Sequence, residues 1–148
     1  MLIVIDSSVL AKWLFPEPLQ SQARAVRQDW ESSTVELIAP NLMFVEAANI
    51  IWKKQRLGLI TQAEATSSII DLLDLEIPTV ESQVILAEAY SLAERFDRTI
   101  NDALYLALAQ VNSANLITAD LRLYHAVASK LDFVEYLGNY QGLADRAT

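Results

Sequence analysis

The feature that most constrains the fold is a run of four apolar residues, Leu2 to Ile5, which leads directly into Asp6. An unbroken apolar run of this length is typical of a strand buried on both faces, as in a parallel sheet covered by helices. Ligands bind to such sheets at the carboxyl ends of the strands. Asp6 is therefore predicted where a carboxylate can face a site. Taken alone, it is explained more simply as the cap of a helix that begins near Ser8.

The rest of the chain alternates strand-like and helix-like segments. Further strands are predicted at 35–38, 76–80, 115–118 and 133–136, and helices at 9–15, 19–30, 40–56, 61–73, 82–96, 102–113 and 121–129. Pro40 is expected as the first residue of its helix, and Thr61 and Glu64 form a capping box. This order predicts an α/β fold, a three-layer α/β/α sandwich with a mainly parallel central sheet. At 148 residues the chain is expected to form a single domain, 1–148.

Composition excludes several classes of site. The chain has no cysteine and a single histidine, His125, so disulfides, thiolate zinc sites, cysteine nucleophiles and histidine metal cages are ruled out. Its three glycines, at 58, 138 and 142, cannot form a dinucleotide-binding fingerprint or a P-loop. Any catalysis is therefore expected to use carboxylates or hydroxyls.

The net charge also limits which functions are possible. The net charge is −8, from 11 basic and 19 acidic residues, which argues against a broad basic surface for nucleic acid. A nuclease remains possible, because clustered carboxylates bind divalent cations that then meet a phosphate. The opening strand is too short for a signal peptide, and Glu36 and Glu46 interrupt the most apolar later stretch. We therefore expect a soluble, cytoplasmic protein with no membrane segment.

Two further carboxylates lie on predicted helices, and each has two interpretations. Glu46 interrupts an apolar helix and, if buried, needs a partner or a metal. It also falls on one helical face with Asn49 and Lys53, which suits a stripe exposed to solvent. Asp102 begins its helix after Thr99 in a pattern that resembles a capping box, so it stabilises a helix N-terminus whether or not it does chemistry.

The segment Thr118-Ala119-Asp120 repeats the logic of the opening strand, because an apolar strand again ends in an acidic residue. Asp120 is explained by itself as the cap of the helix that follows. If both strands are parallel, however, Asp6 and Asp120 lie at the same edge of the sheet, with the hydroxyls of Ser8 and Thr118 nearby.

Four segments of the chain taken together resemble a known family. They are residues 4–10, 46–49, 102–109 and 116–120. In order and spacing they resemble the PIN-domain family, specifically the VapC-type toxin ribonucleases of VapBC toxin-antitoxin systems. The resemblance covers nearly the whole chain. One departure is Asn101, where many relatives have a tyrosine, and it concerns packing and substrate contacts next to Asp102.

The resemblance implies a metal-dependent endoribonuclease. The acidic quartet that would hold Mg²⁺ or Mn²⁺ matches Asp6, Glu46, Asp102 and Asp120, and the hydroxyl positions beside it match Ser8 and Thr118. Oxygen ligands suit both ions. We expect Asp6 and Asp120 to bind the metal directly and Asp102 to bind it directly or through water. Glu46 is expected to orient the attacking water or to hold a second ion.

The resemblance also implies an RNA substrate, a homodimer and a cognate antitoxin that covers the site. Two other functions remain open at this stage. A phosphatase of the haloacid dehalogenase kind also places an aspartate after its first strand, but it needs a second one two residues later, where this chain has Ser8. A non-catalytic α/β interaction module would use the carboxylates only as helix caps and as charges that face solvent.

Overall fold

A computed structural model describes residues 1–143, and its centre is a parallel sheet in the order β3-β2-β1-β4-β5. The strands are β1 (Leu2–Ile5), β2 (Glu36–Pro40), β3 (Thr79–Val80), β4 (Asn115–Thr118) and β5 (Val134–Tyr136). Every neighbouring pair is parallel. Because each strand returns to the same end of the sheet through a helical crossover, the loops that follow the strands gather at one edge.

Helices cover the sheet on both faces. They are α1 (Ser7–Leu14), α2 (Gln20–Glu31), α3 (Leu42–Arg56), α4 (Gln62–Asp74), α5 (Leu86–Phe96), α6 (Ile100–Val111) and α7 (Leu121–Val127). Ile3, Val4 and Ile5 of β1 are at most 1% exposed, as expected for a strand covered on both sides. The predicted three-layer α/β/α architecture is confirmed. None of the helices in residues 1–143 is long and apolar enough to cross a membrane.

The helix α6 is the most deeply buried element of the helical layers. Its seven consecutive residues from Ala103 to Ala109 are all buried, and the helix packs against β1, β2, β4 and α5. A helix that is apolar on all sides belongs in a core and not at a surface. The first turn of α6 is therefore held firmly at the edge of the sheet where the strands end.

Local sequence signals set most helix boundaries. The predicted capping box is present at the start of α4, where Thr61 accepts from the Glu64 amide at 3.1 Å and Glu64 accepts from the Thr61 amide at 3.1 Å. Gly58 follows the end of α3 with φ of +73°, a conformation that favours glycine. Thr99 caps α6 by accepting from the Asp102 amide at 3.1 Å, so α6 begins two residues earlier than predicted.

Three further boundary predictions are wrong. Pro40 ends β2 and does not open α3. The strand tolerates it because Ala39 and Asn41 on either side donate to the carbonyls of Pro78 and Val80, while the Pro40 nitrogen points toward β1, whose pairing with β2 ends at Ile38. The edge strand β3 has only two residues. Residues 82–85 form a 3₁₀ turn before α5.

Candidate active site

Two central strands bring the first and last candidate carboxylates together. β1 and β4 are neighbours, with Ile5 opposite Ile117, so Asp6 follows β1 beside Thr118, the last residue of β4. The chain builds outward from β1 to β2 and β3 on one side and then continues with β4 and β5 on the other. The boundary between β1 and β4 is therefore a topological switch point, where open α/β sheets bind their ligands.

Asp6 is both a helix cap and a member of the acidic cluster, by which we mean Asp6, Glu46, Asp102 and Asp120. It is only 5% exposed, and its Oδ1 accepts from the amides of Ser8 at 3.1 Å and Val9 at 3.3 Å, which caps α1. The Ser8 hydroxyl also donates to Oδ1. Its other oxygen, Oδ2, accepts from the Thr118 hydroxyl at 2.5 Å. Donors from two elements thus orient one buried carboxylate.

The hydroxyls of Ser8 and Thr118 join β4 to the start of α1. Ser8 Oγ accepts from the Ala119 amide at 3.0 Å, and Thr118 Oγ1 accepts from the Asp120 amide at 3.0 Å. Asp120 in turn caps α7 by accepting from the amides of residues 122 and 123. Both supporting hydroxyls predicted from the sequence therefore contact Asp6, and one of them also positions the backbone of Asp120.

Glu46 approaches the same edge from α3. It is half-buried, and its Oε1 accepts from the Tyr105 hydroxyl of α6 at 2.5 Å. The Ser7 hydroxyl lies close enough to Glu46 to lower the pKa of that carboxyl. Its helical neighbours Asn49 and Lys53 are exposed. Both interpretations of Glu46 therefore apply, because it lies at the rim of the site with a buried partner on one side and a solvent-facing stripe along its helix.

Asp102 lies in the first turn of α6 and is half-buried. Its amide donates to the Thr99 hydroxyl, which is one of the two bonds of a capping box. Within residues 1–143, the Asp102 side chain makes no second bond back to the Thr99 amide. The charges of Arg98 and Asp120 both act on its carboxylate. Asp102 therefore faces the other carboxylates and is not confined to capping.

Burial controls the protonation of Asp6. It raises the pKa of Asp6 from 3.8 to about 6, against the lowering effect of hydrogen bonds from Ser8, Thr118 and Val9, and the charge of Asp120 raises it further. Ionisation of this carboxyl near neutral pH therefore costs the folded protein free energy. A cation bound beside it would remove that cost.

The other carboxylates are linked by the same effects. Burial raises the pKa of Glu46, and the Tyr105 hydrogen bond opposes this rise, while the charge of Asp102 adds to it. Burial and the charge of Asp120 raise the pKa of Asp102, and the nearby Arg98 guanidinium opposes them. Burial and the contact with Glu46 raise the pKa of the Tyr105 phenol, so this hydroxyl remains a donor. Repulsion thus connects all four predicted carboxylates in one cluster.

The donor set suits a hard cation. The polar side chains that act on these carboxylates are the hydroxyls of Ser7, Ser8, Thr118 and Tyr105, which offer oxygen, and the guanidinium of Arg98, whose charge reaches Asp102. In residues 1–143, no three acidic or histidine side chains are gathered closely enough to hold a metal by themselves. Mg²⁺ does not require such a cage, because it usually keeps several waters and binds one or two carboxylates together with substrate phosphates. The residues therefore fit a hydrated divalent ion.

Sequence reasoning missed three contributors to the cluster: Ser7, Arg98 and Tyr105. Tyr105 had a detectable signal, since it lies three residues after Asp102 and so on the same helical face. A buried tyrosine hydroxyl also needs a partner. Ser7 and Arg98 had no comparable signal, because only the packing of α1 and α6 brings them to the site. Asn101, where the sequence departs from the family pattern, is exposed.

Comparison with known proteins shows the family of this chain. Residues 3–128 match the model of the PIN domain. The chain is 36% identical over 126 residues to Ribonuclease VapC3 of Pyrobaculum aerophilum, which covers 83% of this chain and 92% of that protein. The chain belongs to the PIN-domain family. The resemblance stated from four sequence segments is thereby confirmed.

Solved structures support the same PIN fold. PAE2754 from Pyrobaculum aerophilum superimposes with a TM-score of 0.66 at 21% identity, covering 93% of both chains. A toxin-antitoxin complex from Klebsiella pneumoniae gives a TM-score of 0.61 at 14% identity, covering 91% of this chain and 97% of the other. At these identities the likeness shows a shared fold. The cluster at the ends of β1 and β4 therefore lies within a PIN domain.

Proposed function

We propose that this PIN-domain protein is a metal-dependent endoribonuclease and the toxin of a type II toxin-antitoxin pair. The observation that carries the proposal is the cluster of four carboxylates at the switch point of the sheet, in which repulsion links Asp6 to Asp120, Asp120 to Asp102 and Asp102 to Glu46. Burial raises the pKa of three of them, Asp6, Glu46 and Asp102. Perturbed carboxylates gathered at a ligand-binding edge are typical of a functional site.

In this proposal Asp6 and Asp120 hold Mg²⁺ or Mn²⁺ directly, Asp102 holds it directly or through water, and Glu46 orients the attacking water or a second ion. A bound ion of this kind lowers the pKa of water and stabilises charge on the phosphate. Side-chain hydroxyls of the protein orient the carboxylates that would hold the ion. Thr118 and Ser8 fix the two oxygens of Asp6, and the Tyr105 hydroxyl fixes Glu46.

The proposed RNA substrate and antitoxin rest on the relatives. The protein with 36% identity is named a ribonuclease, and one structural neighbour is a toxin-antitoxin complex. Exposed apolar residues also suit a protein partner or a homodimer, since Val45 is 65% and Trp52 53% exposed on α3. A non-catalytic interaction module would share such a surface but would not need the cluster.

An Asp102→Asn variant tests the proposal. We expect RNA cleavage to fall at least roughly tenfold, because one oxygen donor to the ion is replaced by an amide. The matched control is Asp97→Asn. Asp97 ends α5 in the left-handed region with φ of 53°, which asparagine also adopts readily. Gel-based cleavage of a defined RNA measures both variants. Equal losses in the two would contradict a specific role for Asp102.

The hydrogen bond from Tyr105 makes a separate prediction about pH. Tyr105→Phe removes a bond that lowers the pKa of Glu46, so Glu46 should protonate at higher pH. We expect the acidic limb of the cleavage profile to move to higher pH and the rate near neutrality to fall about threefold to tenfold. Tyr90→Phe, at an exposed position of α5, is the control. An unshifted acidic limb would show that Glu46 does not act in its ionised form.

A further inference from the structure

The helices α1 and α3 pack side by side, and both begin near the acidic cluster. At one end, Ser7 of α1 contacts Glu46 of α3. At the other end, Lys54 of α3 lies 5.0 Å from the ring centroid of Phe15, which ends α1. The two helices therefore run in the same direction, from the carboxylates toward a basic end.

Two lysines meet at the basic end. Lys12 is one helical turn beyond Ser8, about 6 Å along α1, and Lys54 is about 12 Å beyond Glu46 along α3. Their side chains are well covered, with 12% and 24% exposed, respectively. On a chain of net charge −8, these two ammonium groups are a local positive site beside the acidic cluster.

A single carboxylate lies between the two lysines. Glu17 Oε2 is 3.7 Å from Lys12 Nζ, and its Oε1 is 4.0 Å from Lys54 Nζ. Each oxygen of one anionic group thus faces a different ammonium group. A phosphate offers the same arrangement, with two anionic oxygens on one centre, so Glu17 holds a position that a phosphate suits.

The loop that carries Glu17 is rigid. Pro16 and Pro18 flank it, and a residue before proline is restricted to extended conformations. Gln20 Nε2 fastens the loop by donating to the carbonyls of Lys12 and Phe15, each at 3.0 Å. The loop therefore presents its carboxylate to the lysines at little further cost in conformational entropy.

From these contacts we propose that Lys12 and Lys54 form a subsite for a backbone phosphate of the RNA strand, and that Glu17 masks this subsite in the free protein. The inference rests on the proposed ribonuclease function. A strand whose scissile phosphate lies at the carboxylates would place a neighbouring phosphate farther along the α1–α3 helix pair, toward the two lysines. That phosphate must displace Glu17, so the mask weakens the binding of RNA until the strand is seated.

The test is Glu17→Gln, measured first by binding of a short single-stranded RNA in chelator-containing buffer. Removing the mask should tighten binding about twofold to fivefold, the range of a modest ion pair. The slope of log K against log salt should steepen by about 0.7, since one further phosphate contact then releases counterions. In cleavage assays with Mg²⁺, the improvement should appear as a lower KM.

Matched variants separate this effect from charge and from folding. Glu31→Gln makes the same change in net charge at the exposed Arg27 pair and should leave RNA binding unchanged. Lys54→Gln should weaken binding, and the double variant Glu17→Gln with Lys54→Gln should lose most of the gain. Thermal melting establishes that each variant is folded. Equal binding by the Glu17 and Glu31 variants would overturn the masked subsite. Absence of cleavage by the wild type would instead overturn the ribonuclease function alone.

Discussion

Replacing Asp6 with asparagine is expected to reduce RNA cleavage by about 10³-fold while making the metal-free protein more stable. The loss of activity follows from removing the most buried carboxylate of the proposed metal site, which leaves an amide that cannot carry the charge the cation needs. The gain in stability follows from burial. One pKa unit corresponds to about 1.4 kcal/mol, so the rise from 3.8 to about 6 corresponds to about 3 kcal/mol of unfavourable ionisation.

The direction of the pH effect follows from the same shift. Between pH 3.8 and about 6, the folded protein binds the Asp6 proton more tightly than the unfolded chain does. Its contribution to stability is therefore present at low pH and is lost as the pH rises through this window. Asparagine at this position does not titrate, so this part of the pH dependence should disappear. The net gain at pH 7 should be about 1–3 kcal/mol, since the amide must also rearrange its contact with the Thr118 hydroxyl.

Urea unfolding in chelator-containing buffer at pH 5 and pH 7, together with RNA cleavage, measures both effects. The control is Asp29→Asn. Asp29 is also a buried carboxylate, 6% exposed, but it binds the Tyr140 hydroxyl at 2.6 Å, away from the cluster. That variant should keep its activity. An Asp6→Asn protein with more than a tenth of wild-type cleavage would show that Asp6 is not a required ligand, and unchanged stability would show that its burial costs nothing.

Adding Mg²⁺ or Mn²⁺ to the wild-type protein at pH 7.5 should raise its melting temperature by about 5–10 °C. A ligand that binds only the folded state at a hundred times its dissociation constant adds about 2.7 kcal/mol, and a domain of this size melts about 2–4 °C higher per kcal/mol. The ion also relieves the repulsion among the carboxylates. Removing it with a chelator should reverse the shift and stop RNA cleavage.

This stabilisation should depend on pH, because a proton on Asp6 competes with the metal. With the pKa of Asp6 raised to about 6, the shift should be small at pH 5 and complete at pH 7.5. Asp6→Asn should lose most of it, and Asp29→Asn should retain it. Potassium chloride at matched ionic strength controls for screening. A protein that melts at the same temperature with and without the ions would favour the interaction module over the nuclease.

The two metal-site predictions and the masked subsite concern opposite ends of the helix pair α1 and α3. At the acidic end, ionisation of the buried Asp6 costs free energy unless a cation is bound beside it. At the basic end, Glu17 pairs with Lys12 and Lys54 and cancels one of their two charges until a phosphate arrives. In the proposal both ends are therefore completed by the same metal-bound RNA strand, which would link substrate binding to charge neutralisation.

Local chemistry in the sequence was enough to predict the elements that surround the site. Four apolar residues before Asp6 indicated a strand covered on both faces, and the capping pattern at Thr61 predicted the start of α4 because such bonds join residues close in the chain. The absence of cysteine left carboxylates and hydroxyls as the candidate catalytic groups. The motif segments then indicated the PIN family before any contact was known. These features depend on neighbours a few residues away.

Only the tertiary structure decided which side chains meet. The hydroxyl of Tyr105 reaches Glu46 across 59 positions of sequence, and Thr118 reaches Asp6 across 112, contacts that depend on strand order and helix packing. The strand position of Pro40 also follows from which neighbour each backbone group faces. The bridging of Lys12 and Lys54 by Glu17 requires α1 and α3 to lie in parallel. Residue type and spacing predicted the local elements, but long-range packing determined the site, because hydrophobic patterning specifies which face is buried and not which partner covers it.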